Sequence, residues 1–264
     1  MYEELYEPLP DLDACLERIG YTGPVEPTVE VLDELVMAQL LSVPFDDLDV
    51  SDFGLVPSLG IADLFDKIVT RRRGGYCFEL NGLFAAMLRA IGFDVTPITA
   101  RITTWTPMPC ATTHRGSIVT IDGVRRWCDV GFGGPAPASS VMIDTDEMQR
   151  TPTGDFKFRF DGRWHVLDAY TSSGVTPTIC FDDHEALEVD FLMPNFWCSS
   201  HPDSMFRKMR IVNLLTANGN KSINGDVFKI RADGEVMERK IESEDEFRAI
   251  LKEHFGIAYP LVES

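Results

Sequence analysis

Near residue 92 the spacing of apolar residues changes from helical to strand-like, and that change decides which folds are open to this chain. Before it, apolar residues recur at steps of three and four. Val29, Leu32, Leu35, Val36 and Leu40 follow a Thr28 cap, while Leu80, Leu83, Phe84, Met87, Leu88 and Ile91 follow Gly74-Gly75. Helices are expected over residues 11–19, 28–41, 61–69 and 77–91, with Pro44 ending the second. After it, short runs over 95–104, 156–160 and 164–170 are punctuated by Gly, Pro and Asp. Asp122-Gly123 and Asp161-Gly162 read as hairpin turns, and Asn224-Gly225 as a weaker third. Strands are expected again around 209–216 and 227–231, then a helix in which Ser243 and Glu246 make a capping box ahead of Phe247, Ile250, Leu251 and Phe255. The pattern is α+β: an N-terminal helical bundle over 1–91, a central antiparallel β-barrel over 92–197, and a final α/β unit over 198–264. No repeat or linker separates them, and 264 residues with 44% hydrophobic content can bury a sizeable core.

Three polar residues stand out against this frame. Cys77, in Arg71-Arg72-Arg73-Gly74-Gly75-Tyr76-Cys77-Phe78-Glu79-Leu80-Asn81, falls in the first turn of the expected 77–91 helix. There the unpaired N–H groups and the positive end of the dipole favour thiolate over thiol. His114 lies just before one strand of the Asp122-Gly123 hairpin and Asp129 near the end of the other, so antiparallel pairing carries both to the same end. A free cysteine taken alone is a small buried hydrophobe. With an imidazole and a carboxylate in reach it becomes a candidate thiolate acyl-transfer site, of the cysteine-protease type in its triad. A papain-type peptidase is disfavoured, because its Cys-Gly-x-Cys-Trp context is absent and the histidine follows too soon.

These blocks resemble the arylamine N-acetyltransferase family. The matching segments are Arg-Gly-Gly-Tyr-Cys-Phe-Glu-Leu-Asn at 73–81, Thr113-His114, Asp-Val-Gly-Phe-Gly at 129–133, Val43-Pro44-Phe45-Asp46-Asp47-Leu48, and the stretch from Asn195 to Phe206. The resemblance implies helical, barrel and α/β-lid units in that order. It also implies Cys77 as the acetylated nucleophile, His114 as its proton partner and Asp129 as the carboxylate holding the imidazole. Phe45 and Phe132 then look like aromatic walls of an acceptor pocket, with Gly133, Thr112 and Thr113 on the substrate side. Acetyl-CoA would be the donor, an arylamine, arylhydrazine or N-hydroxyarylamine the acceptor, and no metal is called for. Asp46-Asp47 departs from the family's Glu-Asn, which bears on packing. An amide synthase or acyltransferase with a different acyl thioester donor is the alternative, followed by a cysteine hydrolase or a non-catalytic protein that binds coenzyme A.

Net charge narrows the partners further. At −18 the chain is a poor ligand for nucleic acid or anionic membranes. Coenzyme A is itself anionic, so local positive charge is expected to receive it, and Arg207, Lys208 and Arg210 are the candidates, with Arg115 behind them. The Arg71-Arg72-Arg73 run reads instead as a pairing set for carboxylates such as Glu79. The six cysteines show no metal or disulfide spacing, and the acidic first residues show no signal peptide, so a cytoplasmic protein is expected.

Overall fold

The computed structural model describes residues 1–134 and 136–258. The last six residues of the 198–264 unit lie outside the described residues.

The N-terminal part is helical, as its periodicity implies. Helix α1 (Leu12–Ile19) is capped by Asp11, whose side chain accepts from the Ala14 N–H at 3.0 Å. Helix α2 (Val29–Ser42) is capped by Thr28, which accepts from Val31 at 3.3 Å. A short strand β1 (Phe45–Asp46) and the single turn α3 (Leu48–Ser51) follow. The stretch expected as one helix over 61–69 divides into α4 (Ile61–Phe65) and a π-helical turn (Asp66–Thr70). Helix α5 (Cys77–Ile91) is buried along most of its length and ends at Gly92. Its N-terminus is held by Glu79, whose carboxylate accepts from the Tyr76 N–H at 3.1 Å. The partner of Glu79 is Lys67, at 2.7 Å, and not the arginine run. Within that run Arg71 pairs with Asp66 at 2.8 Å and Arg73 with Asp49 at 2.7 Å.

The central part forms strands β2 (Asp94–Ile102), β3 (His114–Ile121), β4 (Val124–Cys128), β5 (Val141–Met142), β6 (Gln149–Thr151), β7 (Gly154–Asp161), β8 (Trp164–Thr171) and β9 (Gly174–Phe181). They make one eight-stranded sheet in the order β5-β4-β3-β2-β9-β8-β7-β6, rolled into a nearly closed barrel. The Asp122-Gly123 turn joins β3 to β4 as expected, with both residues at positive φ (51° and 78°), as a type I′ turn requires. In the second hairpin the two loop residues are Gly162 and Arg163, one position on from the expected pair. The two edges meet through side chains: the Gln149 amide accepts from Met142 N–H at 2.7 Å and donates to Met142 C=O at 2.9 Å, and Thr153 bridges Ala138 and Ala136 alongside. The barrel interior is lined by Ile98, Ile118, Trp127, Phe158, Leu167 and Phe181.

Helix α6 (Leu192–Ser200) leads to β10 (Ile211–Thr216), β11 (Gly219–Asn224), β12 (Val227–Ala232), β13 (Glu235–Lys240) and α7 (Glu244–Phe255). The loop between β11 and β12 is Gly225-Asp226, again one residue beyond the expected turn. Ser243 caps α7 through the Glu246 N–H at 3.2 Å, but Glu246 reaches back to the N–H of Glu242 instead of Ser243. This sheet includes β1 at its edge, in the order β1-β10-β11-β12-β13, so the C-terminal sheet grows directly on the segment that carries Phe45. At the join Asp47 accepts from the Ile211 N–H at 2.7 Å. Burial pushes its carboxyl up to about 8, against the lowering effect of that hydrogen bond, and its second oxygen is buried with no hydrogen-bond partner among the described residues. Among the described residues, no helix is long and apolar enough to cross a membrane.

Candidate active site

Cys77 is the first residue of α5, so its thiol stands where the helix N–H groups lack intrahelical acceptors. His114 opens β3 and Asp129 directly follows β4. Hairpin pairing of β3 with β4 therefore brings imidazole and carboxylate together, and His114 Nε2 lies 2.7 Å from Asp129 Oδ2. The same imidazole acts on the Cys77 thiol, whose titration it pulls down by charge and hydrogen bonding. Thiol, imidazole and carboxylate thus form one chain of contacts, with all three residues buried.

Close approach of the strand exit to the helix depends on Gly131. A Cβ there would stand 2.8 Å from the Cys77 Cα, inside contact distance of rigid backbone. The Gly131 N–H also donates to Asp129 Oδ1 at 2.9 Å. The same oxygen takes a hydrogen bond of 2.8 Å from Asn81 Nδ2, which donates as well to the Arg115 carbonyl at 2.6 Å. Asn81 Oδ1 in turn accepts from the Val130 N–H at 2.9 Å. Asn81 was not singled out in the sequence as a site residue, although its signal is there: a buried polar residue four positions after Cys77, hence on the same helix face.

The electrostatics follow from burial and pairing. Burial opposes the imidazolium of His114, but the charge and hydrogen bond of Asp129, with the thiol partner, outweigh it and raise the group to about 10. For Cys77, burial pushes the thiol above its ordinary value, and the hydrogen bond and charge of His114 pull it back only in part, contrary to the lowering expected from helix entry alone. The arrangement holds a proton on the imidazole and makes thiolate formation depend on it.

Aromatic side chains surround this chain of contacts. Phe132 lies edge-on to His114 with centroids 6.0 Å apart, and Trp105 stacks on its other side at 5.7 Å. Phe45 packs at 6.3 Å from Phe206, which itself meets Tyr76 edge-on at 5.6 Å, next to Cys77 in the chain. Trp105 and Phe206 therefore join the pair named from sequence. The Gly133 carbonyl accepts from Asn213 Nδ2 at 2.9 Å, tying this loop to β10. Thr113 contributes its carbonyl, 3.8 Å from the Cys77 sulfur, and half-buried Thr112 precedes it.

The basic residues divide. Arg210 is engaged by Asp52 at 2.7 Å and Glu244 at 2.8 Å, and its guanidinium lies over the Phe247 ring. Arg115 is buried against Glu188 at 2.7 Å and covers Phe191. Arg207 donates to the Val50 carbonyl at 3.3 Å, and exposed Lys208 donates to the Asp203 carbonyl at 3.3 Å and lies 3.6 Å from its carboxylate.

A family model described as N-acetyltransferase matches residues 28–262. An arylamine N-acetyltransferase of Mycolicibacterium smegmatis is 30% identical over 254 residues, covering 94% of this chain and 92% of the relative. A Salmonella typhimurium protein named arylamine N-acetyltransferase / N-hydroxyarylamine O-acetyltransferase is 31% identical over 237 residues, or 88% of this chain and 83% of that one. Among solved structures, the Mycobacterium marinum arylamine N-acetyltransferase in complex with CoA superposes with a TM-score of 0.86 at 30% identity, covering 94% and 93% of the two chains.

Proposed function

The chain belongs to the arylamine N-acetyltransferase family, and from that premise we propose that it carries an acetyl group from acetyl-CoA, as a thioester on Cys77, to the nitrogen of an arylamine, arylhydrazine or N-hydroxyarylamine. The observation that carries the residue assignment is the 2.7 Å contact between His114 Nε2 and Asp129 Oδ2, with the same imidazole coupled to the Cys77 thiol.

In the first half-reaction the Cys77 thiolate attacks the acetyl carbonyl. The N–H groups at the start of α5 face the developing oxyanion, and the coenzyme A thiolate leaves with a proton from His114. One thioester replaces another, so the step is close to thermoneutral. In the second half-reaction the acceptor nitrogen attacks, His114 takes its proton, and the Cys77 thiolate departs. Aryl amines and hydrazines suit this step because they are unprotonated at neutral pH. Asp129 keeps the imidazole in one orientation and stabilises its charged form. Phe45 and Phe132, with Gly133, Thr112 and Thr113, form the acceptor side of the proposal, and Arg207 and Lys208 the coenzyme side. Arg210 joins them only by exchanging Asp52 and Glu244 for a phosphate.

The division into units at 91/92 and 197/198 is part of the same proposal, as is a cytoplasmic setting, which fits six cysteines that are all free thiols.

Intact-protein mass spectrometry tests the reading. Acetyl-CoA alone should add about 42 Da to Cys77, and a subsequent arylamine should remove it, the two-stage pattern of covalent catalysis. An adduct that forms only with longer acyl thioesters would replace acetyl transfer with the acyltransferase alternative, and no adduct from any thioester would overturn the mechanism.

A further inference from the structure

Two thiols share one acceptor at this site. The Thr113 carbonyl oxygen is 3.8 Å from the Cys77 sulfur and 3.9 Å from that of Cys198. Cys198 comes from α6, far along the chain, and is buried at 1% exposure with no role in the acetyl-transfer steps. Nothing in its surroundings lowers its pKa, and burial pushes it up to about 12, so in the resting protein it does not compete for a thioester. Cys110 and Cys128, which flank His114 and Asp129 in sequence, hydrogen-bond elsewhere or lie sealed in the core.

We propose that Cys198 is a resolving cysteine for Cys77: when a hydroperoxide oxidises the nucleophile, the two close into a reversible disulfide that silences the enzyme and protects it from over-oxidation. The inference rests on Cys77 being the reactive thiol. In the first step the Cys77 thiolate attacks one peroxide oxygen, the O–O bond breaks, and the leaving hydroxide takes the His114 proton as water, leaving a sulfenic acid. In the second, the Cys198 sulfur attacks the sulfenic sulfur, the S–O bond breaks, and the leaving hydroxide combines with the Cys198 proton as water. Each sulfur gives up one electron and the peroxide takes both. Bond formation needs the sulfurs to close to about 2.05 Å, and the shared carbonyl already holds both on the same side of the Thr113 peptide.

Hydrogen peroxide treatment of the protein without thioester, followed by intact mass and non-reducing peptide mapping, tests this. The wild type should lose about 2 Da, carry a Cys77–Cys198 cross-linked peptide, and regain activity with dithiothreitol. Cys198→Ala and the near-isosteric Cys198→Ser should start with wild-type acetyl transfer, then gain about 32 Da as the sulfinic acid and stay inactive after reduction. Prior acetylation by acetyl-CoA should suppress the cross-link, because the thioester leaves no thiolate. Sulfinic acid in the wild type without the cross-link would overturn the proposal, as would a Cys77 link to another cysteine, or a variant that recovers like the wild type. A Cys77–Cys198 link in a protein that takes no acetyl group would instead overturn the acetyl-transfer reading and leave this one standing.

Discussion

Asn81 Nδ2 donates to Asp129 Oδ1 at 2.8 Å, which couples the helix bearing the nucleophile to the carboxylate that orients the imidazole. Both ends of the Asn81 amide are used, so replacement by alanine orphans the Val130 N–H and the Arg115 carbonyl as well. Asn81→Ala should lower kcat about 10- to 100-fold with KM for the amine nearly unchanged, and cost about 1–3 kcal/mol of stability. Asp129→Asn should cut kcat further, by about 10³- to 10⁴-fold, through loss of the oriented imidazole. Steady-state kinetics with thermal unfolding checks both, and an Asn81→Ala variant with normal kcat would confine Asn81 to a role in folding.

His114 makes alkaline stability depend on the same pair. Its folded pKa of about 10 lies above the ordinary 6.5, so the stabilisation is fully present below about pH 6.5 and is lost as pH rises through 10. Thermal unfolding between pH 6 and 10.5 should show this decline, amounting to a few kcal/mol. In Asp129→Asn the decline should flatten, because the opposing charge is gone.

Asp47 acts in the same sense at lower pH. Its folded value of about 8 is above the ordinary 3.8, so the favourable contribution of the neutral acid is complete below pH 3.8 and disappears as pH rises through 8. Asp47→Asn should therefore gain stability relative to the wild type from pH 4 upward and level off above pH 8, with a plateau on the order of several kcal/mol. The difference in Tm across that range measures it, and a constant difference would show that Asp47 stays charged in the fold.

Arg210 and Lys208 should separate under mutation. Arg210→Ala removes a clamp between the α3 end and the start of α7 and should lower Tm while leaving KM for acetyl-CoA close to normal. Lys208→Ala should raise that KM and leave Tm alone, since its ammonium is exposed and weakly paired. Opposite outcomes would move the coenzyme contact to Arg210.

The fold was readable where local chemistry dictates structure. Thr28, Ser243 and the Asp122-Gly123 turn are sequence-local devices, and each stands where its residue type demands. Strand β9 went unread because its alternation is broken by Pro177 and its first half is exposed, so only pairing with β8 and β2 makes it a strand. The edge position of β1 in the C-terminal sheet was hidden for a related reason: two residues carry no periodicity, and their partner lies at Asn213 and Val212. Within the site, Cys77, His114 and Asp129 could be named from helix entry and hairpin geometry. Phe206, Trp105 and Cys198 arrive by long-range packing, which no local pattern encodes. The Arg210 ion pairs were equally out of view, since Asp52 and Glu244 are remote from it in sequence.

Gln149 and Thr153 give the barrel a seam made of side chains, the Thr153 hydroxyl accepting from the Ala138 N–H at 3.1 Å and donating to the Ala136 carbonyl at 2.6 Å. Every other stave is stitched to its neighbours by main-chain ladders, so breathing of the wall begins where these side chains let go. The seam lies one strand away from β4, whose end delivers Asp129; the β4–β5 ladder stands between, and the β3–β4 ladder that pairs the two site strands lies beyond it. The wall can thus yield on one side while imidazole and carboxylate stay in register on the other. While the seam is closed the amide occupies the Met142 N–H and C=O, so this edge offers little to the strand of another molecule, and the same residue that admits motion guards against aggregation.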